Sequence, residues 1–245
     1  TKKIIINTLP YYFISIIGWF SGYGNNFIIN LYFDSFDIAA FTFIYTLSGV
    51  LLMVSNSLNQ VWAPRFYKEF NIKSLADLEK NNNFFYGMLA VFLGIAVSLI
   101  VVIYPFIINY IGGNLLFYLN MEVELYIVLL TYIIYTPIWH CRIHFYANSV
   151  GKSLMKITAI SSLFGLLSMV LCMNVFSNIG IYYGFLSITI FNLLFIATIS
   201  KRKWELNISW SKLFVGIGIS FITFYLTYFN YEIIYSIIFI IISIL

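Results

Sequence analysis

Apolar residues in this chain run in long blocks separated by short polar turns. Eight blocks are long enough to read as spans, at about 5–31, 38–62, 84–111, 122–146, 154–177, 179–200, 210–229 and 231–245. A bilayer core of ~30 Å needs ~20 residues of helix at ~1.5 Å each, and most of these blocks reach that length. The pattern therefore predicts an all-α, polytopic transmembrane helix bundle of about eight spans. Within the first span a polar stretch, Ser21-Gly22-Tyr23-Gly24-Asn25-Asn26, marks a kink or a close helix contact. Spans five and six are joined by only Asn178-Ile179-Gly180-Ile181, which predicts an antiparallel hairpin.

The one long polar stretch, 64–83, predicts a short amphipathic helix on the membrane surface. Phe66, Tyr67, Phe70, Ile72, Leu75 and Leu78 would face lipid. The last two spans are plain in Ile and Phe and read as a lipid-facing addition. The expected organisation is a six-helix bundle over 1–205, followed by two further helices over 206–245. The final span runs to Leu245 without a flanking charge, and the chain opens on Thr1. It is therefore expected to be a portion of a longer membrane protein.

Composition narrows the class. Hydrophobic residues make up 62% and charged residues 9%, against about 25% charged in soluble domains, so a water-soluble domain is excluded. The 13 Lys and Arg fall in four groups. Lys2 and Lys3 precede span one. The other groups are Arg65 to Lys80, Arg142 to Lys156, and Lys201 to Lys212, around the turns after spans two, four and six. The remaining turns carry acids: Asp34, Asp37, Glu122, Glu124 and Glu232. Basic turns stay in the cytoplasm, so the N-terminus of the chain is expected there. The net charge of +4 reports topology and not nucleic-acid binding. Cys141 and Cys172 lie inside spans, and their spacing suggests free buried thiols rather than a disulfide or a metal centre. Many of the 20 Tyr sit near span ends, as interfacial belts require.

Enzymatic constellations are missing: there is no nucleotide loop, no HExxH and no Ser-His-Asp set. Neither an enzyme nor a cofactor is expected. His140 and His144 share a helix face. No carboxylate or cysteine accompanies them on that face, and Arg142 lies beside them. Metal ligation is therefore set aside; the pair reads as lining for a water-filled cavity or as residents of the headgroup zone. Arg142 lies one to two turns inside span four. Its guanidinium either snorkels to phosphates at the surface or binds an anionic group with forked hydrogen bonds. Asn25, Asn26, Asn59 and Gln60 are candidate hydrogen-bonding residues for a polar substrate.

The segment Asn59-Gln60-Val61-Trp62-Ala63-Pro64-Arg65-Phe66-Tyr67-Lys68 closes a span that opens with Ile38-Ala39-Ala40-Phe41. That pairing resembles the polysaccharide flippases, the O-antigen transporter branch of the multidrug/oligosaccharidyl-lipid/polysaccharide exporter superfamily. Val150-Gly151-Lys152-Ser153 is similar to that family's Gly-Lys turn, and Asn178 to Gly184 is similar to its Tyr-Gly-Ile-x-Gly hairpin. The resemblance covers about residues 7–205. It implies the second six-helix bundle of such an exporter plus two extra C-terminal helices, in a bacterial inner membrane. The implied activity is alternating-access flipping of undecaprenyl-pyrophosphate-linked oligosaccharide; among this chain's own residues Arg142 is then the candidate anion contact, and Asn25, Asn26, Asn59, Gln60, His140 and His144 are candidate hydrogen-bonding contacts. The implied partners are this lipid-linked substrate, membrane lipids, and a polysaccharide polymerase with its chain-length partner. Two positions depart from the family pattern. Asn25-Asn26 stand where many relatives have an Asp followed by a base, and Ala39-Ala40-Phe41 replaces a Gly-x-Tyr. A cation-coupled drug exporter, an envelope-synthesis enzyme and an assembly protein without transport are the competing classes.

Overall fold

A computed structural model of the chain describes residues 2–22, 24–70 and 72–229. The described residues form helices and short turns, with no strand. In chain order the helices are α1 (Lys2–Phe20), α2 (Asn25–Ile29), α3 (Ser35–Phe70), α4 (Leu75–Ile111), α5 (Glu122–Ala147), α6 (Gly151–Phe176), α7 (Ile179–Trp204) and α8 (Trp210–Phe229). A 3-10 segment, Gly113–Tyr118, joins α4 to α5. Six of the described helices, α3 to α8, are long and apolar enough to cross a membrane. The protein is therefore a multi-pass membrane protein.

Several expected elements differ from what forms. The block 5–31 is not one span. α1 ends at Phe20, and the chain turns through Ser21 and Gly22 before the short α2 begins. The Asn25 amide donates back to the Ser21 carbonyl at 2.8 Å, which satisfies the backbone at the break. The block 231–245 lies outside the described residues. The stretch 64–83, expected as a separate surface helix, is divided between the last turns of α3 and the first turns of α4. Pro64 lies within α3 and does not end it. The helix runs on because Phe66, two residues later, is fully buried with its ring edge-on to His144 at 5.0 Å. α4 starts after Ser74, whose hydroxyl accepts the Asp77 N–H.

α5 is the centre of the molecule. It packs on α3, α4, α6, α7 and α8, and 72% of its span is buried. It also has the lowest mean hydropathy of the six spans. In lipid the apolar surface of a helix gains little by turning inward, so polar and small residues mark the interfaces. Thr131, Thr136, His140 and His144 of α5 are accordingly buried. α6 and α7 form the expected antiparallel hairpin, and α1 lies against α6. α8, expected as a lipid-facing addition, has only 22% of its span buried and meets α4 along one side. A Cβ at Gly94 would lie 2.3 Å from the Gly216 carbonyl oxygen, and one at Gly216 would lie 2.4 Å from that of Ala90. Only glycine allows the two backbones that close. Tyr126 of α5 also stacks on Phe224 of α8, with ring centroids 4.4 Å apart.

Candidate functional site

α5 presents two chemically different faces to the rest of the bundle. Side chains advance ~100° per residue around a helix. His140 and His144 therefore share one face, and Arg142 lies about 200° away from His140. The Arg142 face looks onto a cleft, and the histidine face packs on α4.

The cleft lies between α1, α3, α5, α6 and α7. Its main cavity is about 300 Å³ and is lined by Ser21, Asn56, Thr131, Tyr135, Arg142, Thr158, Ser162, Thr189 and Asn192, among others. Ser21 and Ser162 hydrogen-bond across it at 3.2 Å, joining the α1 break to α6. A smaller hollow of about 180 Å³ adjoins it through Asn56, Trp139 and Arg142, and adds Asn59, Tyr67, Tyr86 and Tyr146. Tyr67 and Tyr146 also line a third opening with Tyr11 and Ser149, at the basic end of the bundle.

Three residues on the wall of the main cavity carry buried polar atoms without a hydrogen-bond partner. They are Arg142 Nε, Thr158 Oγ1 and Asn192 Oδ1, contributed by α5, α6 and α7. The Arg142 guanidinium lies 5.3 Å from the centre of the Tyr135 ring. Among the described residues no carboxylate lies within ion-pair distance of it. Its positive charge is thus stabilised by an aromatic face and not neutralised.

The other predicted residues scatter. Asn59 lines the smaller hollow, but both ends of its side chain are engaged. Its amide donates to the Ser55 carbonyl, and its oxygen accepts the Tyr86 hydroxyl at 2.8 Å. Asn25 is fully buried and supports the break behind Ser21, outside the cavity lining. The Asn26 amide donates to Thr42 Oγ1 at 3.2 Å. Gln60 is exposed and lines neither hollow. His140 and His144 do not line the cleft with Arg142.

Instead the two histidines meet Glu79 of α4. Its two carboxylate oxygens lie 2.7 Å from His140 Nε2 and 2.9 Å from His144 Nε2. Both rings are almost wholly buried, and Glu79 is 15% exposed. The carboxylate only accepts hydrogen bonds, so Nε2 carries the hydrogen on both rings. One turn along α4, the Asn82 amide donates to the His140 carbonyl at 3.4 Å, and its oxygen accepts the indole N–H of Trp62 at 2.9 Å. The chain Trp62–Asn82–His140–Glu79–His144 therefore ties α3, α4 and α5 together at the basic end. No carboxylate shares the histidine face along α5; the partner comes from α4. The available signal was the polar run Glu79, Asn82, Tyr86 on α4, spaced by three and four residues so as to share one helix face.

No family model matches the chain, and no curated protein or solved structure is detectably similar to it.

Proposed function

We propose that this membrane protein is a transporter and not an enzyme, and that its cargo is a lipid-linked oligosaccharide with an anionic pyrophosphate head group. One observation carries the reading. Three helices bring a cation and two neutral polar groups to the wall of one cavity, and each keeps a buried polar atom unpaired. Leaving such an atom unpaired costs about 1–3 kcal/mol. A head group rich in hydroxyls and phosphate oxygens supplies the missing partners. Arg142 is the anion contact in this reading, because a guanidinium grips phosphate with two parallel hydrogen bonds. Thr158 and Asn192 join it as sugar contacts, and Asn59 borders the route toward the basic end.

The resemblance to polysaccharide flippases points the same way, and supplies alternating access between two bundles as the mechanism. The cargo's lipid tails would stay in the bilayer while the head group crosses through the cleft. Carboxylates suited to a cation-coupled drug exporter do not line the main cavity.

The test is complementation in the host. Deleting the gene should abolish surface polysaccharide and leave lipid-linked repeat units on the inner leaflet. Arg142→Ala should restore at least tenfold less polysaccharide than the parent, as expected for loss of ~1.5–3 kcal/mol from a charged hydrogen bond. Arg142→Lys should restore part of it, since an ammonium keeps the charge and loses the fork. Normal polysaccharide after deletion would exclude this cargo and bring the drug-exporter reading forward. Full activity in Arg142→Ala alone would return that side chain to snorkelling.

A further inference from the structure

We propose that Glu79, His140 and His144 form a binding site for a divalent transition-metal ion of the zinc class. The site is separate from the cleft, and the inference does not depend on the transport reading.

The ligand set has the right chemistry. Each of the three residues offers one ligand atom, and these atoms all lie within 4.8 Å of one another. Two imidazole nitrogens and one carboxylate oxygen are borderline donors that suit zinc and its neighbours and serve magnesium or calcium poorly. Both histidines present the same atom, Nε2, to the same carboxylate. Their spacing of four residues places both rings on one face of α5, as two-histidine metal sites on helices require.

The three ligand atoms already lie near one another. Bonds of ~2.0–2.2 Å at tetrahedral angles put neighbouring ligand atoms about 3.3 Å apart. The Glu79 oxygens now stand 2.7 and 2.9 Å from the two nitrogens. These contacts use different carboxylate oxygens, so the ion enters as side-chain rotations bring one oxygen and the two nitrogens, now within 4.8 Å of one another, to that spacing. Three protein ligands leave one tetrahedral position for water or a fourth donor.

The surroundings favour a cation. An opening of about 500 Å³ at the basic end is lined by Glu79 together with Glu205, and Lys80 also stands on its wall. It leads from outside the bundle to the carboxylate, where Glu205 adds a second acid. Arg142 lies on the opposite side of α5, with its guanidinium over Tyr135, so its charge is not set against the site. Behind His144, Asn82 is held in place by Trp62, and Phe66 packs edge-on against the ring. The orientation of His144 is thus set by packing, since its Nδ1 makes no hydrogen bond among the described residues. A bound ion would fasten α4 to α5 where hydrogen bonds now join them.

The experiment uses the full chain, purified in detergent and stripped with a chelator. Co²⁺ is titrated in and followed by its ligand-field absorption, then displaced with Zn²⁺. The expected result is one Co²⁺ per chain in a low-symmetry nitrogen–oxygen environment, fully displaced by Zn²⁺, with thermal unfolding moved upward by several degrees at saturating Zn²⁺. Glu79→Gln and His144→Ala should each weaken binding at least tenfold, while Cys172→Ser binds as the parent does. The folded parent chain is decisive by itself: if it elutes as a single species and takes up neither ion at ~100 μM (~5.5 kcal/mol), the proposal is overturned. Unchanged binding in both ligand variants, or loss of binding in Cys172→Ser, overturns it equally.

Discussion

Asn82 shows how one side chain can decide the arrangement of three helices. It is fully buried, its oxygen takes the Trp62 indole N–H, and its amide faces His144 and the His140 carbonyl. Replacing it with Ala leaves the indole N–H without an acceptor in a dry interface. Interhelical hydrogen bonds in membrane proteins contribute about 0.6–1.7 kcal/mol. We expect Asn82→Ala and Trp62→Phe each to destabilise the protein by about 1–2 kcal/mol in denaturation from mixed micelles. Because the two share one bond, the double variant should cost less than the sum; strict additivity would show that the bond contributes nothing. At this scale the sequence was partly legible. Arg142 stands out in any reading because a charge within a span is costly. The role of Glu79 was not legible, since its position among the polar residues of 64–83 looked like ordinary surface chemistry.

Between elements, closeness is set by glycine. Gly94 and Gly216 let α4 and α8 approach until backbone meets backbone. Gly94→Val places carbon against the Gly216 carbonyl, so the helices must separate. Overpacking of this kind costs about 1–3 kcal/mol, and it should be read as lower stability with easier proteolysis after α7. Gly218 lies on the same helix, and a methyl group added there would meet nothing within 4 Å. Gly218→Ala should therefore hold or raise stability by about 0.5 kcal/mol, through helix propensity alone. Equal losses in the two variants would show that α8 does not dock through this contact. The sequence of α8 is apolar nearly all round, and in lipid an apolar surface does not reveal which side meets protein. The same limit applies to Pro64: a local rule favours a break, and the burial of Phe66 overrides it.

At the scale of the whole molecule, the alternation of basic and acidic ends predicts orientation. Lys203 lies over the Phe145 and Trp204 rings and Lys212 over Phe84, gathered with Glu79 and Arg65 at one end. The acidic turns, with Asp37 bonded to Asn178 at 2.8 Å, lie at the other. The basic end should face the cytoplasm. After Cys141 and Cys172 are replaced, a cysteine at Asn114 should react with a membrane-impermeant maleimide in intact cells. One at Lys152 should react only after the cells are opened. The reverse pattern would invert the topology, and with it the side from which both the cleft and the Glu79 opening are reached.

Hydropathy and charge placement determined the class of this protein, the ends of α5, α7 and α8 to within a few residues, and the hairpin of α6 and α7. These are properties that each segment carries alone, through the cost of placing apolar residues in water and charges in lipid. Which faces meet was decided only by the tertiary structure. His140 and His144 could line a cavity or lie in the headgroup zone until Glu79 was placed beside them, and nothing in the sequence marks Thr158 and Asn192 until α6 and α7 set them across from Arg142. The reason is physical. Inside a membrane the forces that join helices are short-range contacts between small and polar groups, and these depend on positions far apart in the chain.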